Sequence, residues 1–98
     1  MESEMSLPHF DIDFAGGSVM KIGRYLLTSS SIQKTEVNGE MKAFVRIRIN
    51  QEAERIKLFV GDILTLSDSE KYKVVFIETP ETRLDRGKVY FVNLEEET

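Results

Sequence analysis

The sequence predicts an all-β domain, a small antiparallel sandwich or barrel of about seven short strands. Three observations carry that prediction. Residues 56–77 read IKLFV, the turn Gly61-Asp62, ILTL, the polar stretch SDSEKY and KVVFI, so apolar runs of strand length are divided by turn-forming clusters. Asn38-Gly39 lies between two extended stretches and suits a type I′ hairpin turn, because both central residues of that turn need positive φ. Turn signals recur at short, regular intervals along the chain, as in a sandwich or barrel and unlike the longer spacing of a βαβ fold.

Taken in order, residues 1–7 read as a flexible leader. Phe10, Ile12 and Phe14 then alternate with His9, Asp11 and Asp13, the period of a strand with one buried face, and Ala15-Gly16-Gly17 ends it in a turn. Residues 18–28 fit two patterns. Val19, Ile22 and Leu26 make a helical stripe with Ser18 as N-cap, whereas Met20, Ile22 and Leu26 also suit a strand; Gly23 weakens the helix, and the strand is preferred.

The Asn38-Gly39 turn sets a register in which Val37 faces Glu40, Ile32 faces Val45 and Ser30 faces Ile47. Ile32, Val45, Ile47 and Ile49 then share the core face, and Ser31, Gln33, Phe44, Arg46 and Arg48 the opposite one. In this register Ser31 and Ser29 lie across from the two arginines. Residues 50–54 form a polar connection, residues 79–87 a loop, residues 88–94 the last strand and residues 95–98 an acidic tail.

The chain has the size of one domain, residues 1–98, with enough length to bury a single core. Its 41% hydrophobic and 31% charged content are those of a globular protein, which argues against a disordered or membrane class. No apolar run approaches the roughly 18 residues of a membrane span. No signal peptide is recognisable, so a cytoplasmic address is expected, or a periplasmic one if the chain is a fragment. Without cysteine there is no disulfide and no thiolate chemistry. The net charge of −4 resides in the second half, where residues 51–98 hold eleven acids and seven bases against six of each in residues 1–50. An acidic chain repels phosphate backbones on average, which makes nucleic acid an unfavoured partner.

Few residues suggest chemistry. His9 is the single histidine and stands beside the leader, a poor position for a general base, and one histidine cannot build a multi-histidine metal site. Asp11 and Asp13 share a strand face but lack a third acid set by a motif. The glycines of residues 14–21 lack the spacing of any phosphate-cradling loop. Neither a catalytic constellation nor a cofactor motif emerges, and the expectation is a protein that is not an enzyme. Two surfaces remain: the stripe Phe44, Arg46 and Arg48, suited to acidic groups, phosphates or bases, and the loop residues Arg83, Leu84 and Arg86, suited to a protein interface.

The pattern LFVGDILTLSDSEKYKVVFIE followed by GKVYFVNL resembles the head-tail joining proteins of tailed phages, in which a Gly-Asp corner precedes a short strand and a returning one. Through AFVRIRI, the later VGD and YKVVFI it is also similar to the periplasmic homology-region domains of type II secretion and type IV pilus inner-membrane proteins. Both resemblances imply a non-enzymatic adaptor that holds a larger assembly together, as a phage structural component located in the virion or as a secretion or pilus assembly domain. The expected partners are proteins, including further copies of this chain, and a nucleic-acid-binding β barrel using Phe44, Arg46 and Arg48 is the alternative.

Overall fold

The computed structural model describes residues 9–82 and 85–94. The expected leader and acidic tail lie outside the described residues, as do Arg83 and Leu84. The described residues are all-β, as expected, with nine strands among them rather than about seven: β1 Ile12–Ala15, β2 Val19–Ile22, β3 Tyr25–Ser29, β4 Gln33–Val37, β5 Glu40–Ile49, β6 Ile56–Phe59, β7 Ile63–Ser67, β8 Glu70–Glu78 and β9 Lys88–Asn93. Gly23, at φ +57°, turns residues 18–28 back on themselves as the β2–β3 hairpin, so the helical pattern there is not used.

The strands form two antiparallel sheets. One has the order β1-β9-β8-β7. In the other, β5 is the spine: β4 pairs with its first half, β3 with its last residues, and β6 with residues 44–47. Phe44 is shared by β4 and β6, and Ile47 by β3 and β6, which puts β3 and β4 end to end along one edge of β5 and β6 on the other.

Between the sheets lies one core. Phe14, Leu64, Tyr72, Val74, Ile77, Val89 and Phe91 project from the first sheet and meet Leu27, Ile32, Val45, Ile47 and Leu58 from the second. The apolar run KVVFI is longer than alternation allows on a half-buried strand, and a bulge explains it. The β8–β9 register shifts between Val74 and Phe76, so Val74 and Ile77 both point inward while Phe76 turns out to meet Tyr90.

Two corners join the sheets. At Gly61-Asp62 the chain leaves β6 and enters β7; Gly61 has φ +100°, Asp62 Oδ2 accepts from the Phe59 amide at 2.9 Å, and Gly61 N donates to the Val74 carbonyl at 2.8 Å. At residues 15–18 the chain passes from β1 to β2, with Gly16 N donating to Gly87 O and Gly17 N to Ser30 O. These corners close the sandwich towards a barrel.

The hairpin register needs one correction. Val37 faces Glu40 and Gln33 faces Phe44 as expected, but Ser29, not Ser30, faces Ile47, and Thr28, not Ser29, faces Arg48. Ser31 is the extra residue. Ser30 bonds Arg46 through both its amide and its hydroxyl, Ile32 turns into the core at 8% exposure, and Ser31 is left exposed between them. The bulge lets Leu27 and Ile32, five positions apart, both face inward.

Candidate functional site

On the outward face of the second sheet, β5 presents Phe44, Arg46 and Arg48 at the two-residue period of a strand. β6 runs antiparallel beside it and sets Phe59 opposite Phe44 and Lys57 opposite Arg46. Like charges directly opposite each other on a sheet repel. Here the Phe44 ring lies under both: Lys57 Nζ is 4.6 Å and the Arg46 guanidinium carbon 5.2 Å from its centroid, and Lys57 also reaches the Phe59 ring at 5.5 Å. The electron-rich ring face attracts each cation and offsets their repulsion. As a result Phe44 is only 5% exposed although it points away from the core, and its ring packs on Phe59 at 5.6 Å between centroids.

Beyond Arg46 the face deepens into a cavity of about 110 Å³ lined by Thr28, Ser29, Ser30, Arg46, Arg48 and Arg55. The Ser31 bulge places Ser30 and Thr28 here. The hydroxyls of Ser29 and Ser30 are engaged: Ser29 Oγ donates to Ala15 O and accepts from Ser18 N, while Ser30 Oγ donates to Ser31 O and accepts from Arg46 N. Arg46 Nη1 donates to Gln33 Oε1 at 3.3 Å. Arg48 Nε is buried and has no acceptor. Among the described residues the ion pairs are His9–Asp11 and Lys88–Asp13, and no described carboxylate pairs with Arg46, Arg48, Arg55 or Lys57.

The structure thus brings Phe44, Arg46 and Arg48 together, and it adds Arg55 and Lys57, which the sequence reading did not single out. Their signal was present: in RIKLF, Arg55, Lys57 and Phe59 alternate with the apolar Ile56 and Leu58. Arg86 stands apart. It is exposed, and its carbonyl lies against Gly16 at the β1–β2 corner. Asp85 ties this loop, accepting from Gly87 N and Glu81 N, and these bonds hold its carboxyl below the ordinary carboxylate range. The loop's Arg83 and Leu84 lie outside the described residues.

Elsewhere the polar residues have structural tasks. Asp11, just before β1, accepts at Oδ2 from Asn93 N at 2.7 Å, and Asp13 within β1 pairs with Lys88 at 3.6 Å, so the two aspartates work separately. No group of three potential metal ligands occurs among the described residues. On the outer face of the first sheet Tyr90 packs against Phe10 and Phe76, is 4% exposed, and donates its hydroxyl proton to Glu78 Oε1 at 2.9 Å. A second, more apolar hollow of about 380 Å³ opens between Lys42, Ala43, Phe59, Val60, Phe76 and Ile77. Among the described residues no helix is long and apolar enough to cross a membrane. No protein-family model, curated protein or solved structure matches this chain.

Proposed function

We propose that this domain is a non-enzymatic assembly adaptor that binds a protein partner, taking an acidic segment of that partner on the outer face of β5 and β6. One observation carries the reading: four cations, Arg46, Arg48, Arg55 and Lys57, share a face without a counter-carboxylate among the described residues, in a chain whose net charge is −4. Concentrating like charge on one face costs self-repulsion, and an acidic partner removes that cost while gaining steering during encounter. A cytoplasmic protein that joins a larger particle, such as a virion, fits this role.

Nucleic acid is the less favoured ligand for a reason visible at Phe44. A single-strand binder offers open aromatic platforms to bases. Phe44 is covered by Lys57 and Arg46, and only the phosphate-binding half of such a site is present.

The test is capture of partners from the native host at rising salt. Retention of a protein partner should weaken steeply with salt and be lost in the double variant Arg46→Gln, Lys57→Gln with unfolding unchanged. A strictly monomeric protein that retains no protein partner, or retains one equally in the double variant, refutes the reading. Retention of nucleic acid alone would favour the alternative.

A further inference from the structure

We infer that the cavity between Thr28, Ser30, Arg48 and Arg55 is a phosphoryl-group site, so that the partner segment is recognised through a phosphorylated side chain. The inference rests on the adaptor reading above and sharpens it from an acidic face to one chemical group.

Size, charge and unused donors point the same way. A cavity of about 110 Å³ is several times the roughly 30 Å³ occupied by one water, so it has room for a compact tetrahedral anion. Three arginines, Arg46, Arg48 and Arg55, line it. One carboxylate would leave two of the charges unbalanced, whereas a phosphate monoester carries close to two negative charges and three acceptor oxygens at neutral pH. Planar guanidinium forks match those oxygens with paired hydrogen bonds.

The donors are available. Arg46 spends one N–H on Gln33, and the side chains of Arg55 and Thr28 make no hydrogen bond to other described residues. Arg48 is the most telling of the set, because its Nε is buried with no acceptor, an arrangement native proteins keep rare. A rotation of the guanidinium onto an oxyanion satisfies that donor. Ser29 Oγ ties the end of β3 to the Ala15 corner, and Ser30 Oγ accepts from Arg46 N, which fixes the backbone that lines the cavity.

Amide NMR titrations of the whole chain with inorganic phosphate and with phosphoserine, against acetate and chloride at matched ionic strength, test this. Both phosphate probes should give saturable shifts at Thr28, Ser29 and Ser30 that acetate and chloride do not give. Arg48→Gln should weaken them by about tenfold or more, the effect of losing a charged hydrogen bond. Lys57→Gln, outside the cavity, should change them less than threefold. Shifts that acetate reproduces, that fail to saturate, or that survive Arg48→Gln overturn the phosphoryl site. Saturation by inorganic phosphate without phosphoserine would make the cavity a site for the free ion and overturn the phosphorylated-partner proposal. A partner retained through Arg46 and Lys57 after such failures leaves the adaptor reading standing; loss of both phosphate and partner binding removes the two together.

Discussion

Replacing Gly87 by alanine tests whether the 79–87 loop is seated on the corner of the sandwich, and Gly39→Ala supplies its control. Both glycines have positive φ, +71° at Gly87 and +83° at Gly39, so each substitution carries the left-handed backbone penalty of about 1–2 kcal/mol. At Gly39 a new Cβ meets nothing within 4 Å. At Gly87 it falls inside contact distance of the Glu78 carbonyl oxygen, and lies 3.0 Å from Pro80 Cδ and 3.1 Å from Ile32 Cγ1. The Glu78 carbonyl belongs to the backbone of β8 and cannot rotate aside. Moving Gly87 instead strains its bonds to Asp85 Oδ1 and from Gly16 N. Overpacking of this kind adds about 1–3 kcal/mol. In urea denaturation Gly87→Ala should therefore lose about 1–3 kcal/mol more than Gly39→Ala, at equal m-value. A Gly87→Ala midpoint no lower than that of Gly39→Ala would mean that the loop does not sit on Gly16 and Ile32.

Phe44→Ala should destabilise the domain by about 3 kcal/mol in thermal unfolding, the low end for a buried aromatic, because the stems of Arg46 and Lys57 can fold into part of the space. A loss below about 0.5 kcal/mol, the size of an ordinary surface substitution, would show that the ring is not packed as described. Tyr90 gives a pH-dependent prediction. Burial first, and then the hydrogen bond to Glu78, push its hydroxyl up to about 12 from an ordinary 10.0, so the folded state holds that proton more tightly than the unfolded chain. The associated stability is whole below pH 10, falls as pH rises from 10 to about 12, and is absent from Tyr90→Phe. Denaturation midpoints of the two proteins should converge over this interval, and curves that stay parallel refute the assignment.

What the sequence disclosed, and what it hid, follow from how far periodicity can be counted. The all-β class was readable because β-branched and aromatic residues recur between glycine and Asx turns. The hairpin register was readable from Asn38-Gly39, since a two-residue turn leaves one alignment, and counting outward from it places Gln33 opposite Phe44 correctly. The count fails at Ser31, because an inserted residue reverses the facing of everything beyond it and serine carries no mark of being the insertion. Val75 hides a second bulge in the same way: KVVFI reads as a run buried on both faces until the shift separates inward Ile77 from outward Phe76. Gly23 ended a hairpin where it had only counted against a helix. Phe44 was placed on the right face with the wrong exposure, since a position in one strand does not tell which long side chains from the next strand will lie over it.

The cationic face depends on positions that carry no charge. Arg46 and Arg48 reach it by simple alternation, but their neighbours reach it only because two alignments hold. The first is β5 with β6, made by the turn after Ile49, where Asn50 and Gln51 take left-handed φ of 52° and 66° and Glu52 N returns to Ile49 O. That reversal brings Lys57 beside Arg46, and Arg55 to the cavity. The second is β3 with β5, and Asn50 sets it too: its amide donates to the Leu26 carbonyl at 2.7 Å while its side-chain Oδ1 accepts from the Leu26 amide at 2.8 Å. With Leu26 held there, Thr28 falls opposite Arg48, and Ser31 absorbs the mismatch before Ile32 enters the core. One asparagine thus couples the strand that supplies the hydroxyl side of the cavity to the turn that delivers its third arginine. The charges could be conserved in type and still not converge if either alignment slipped by one residue.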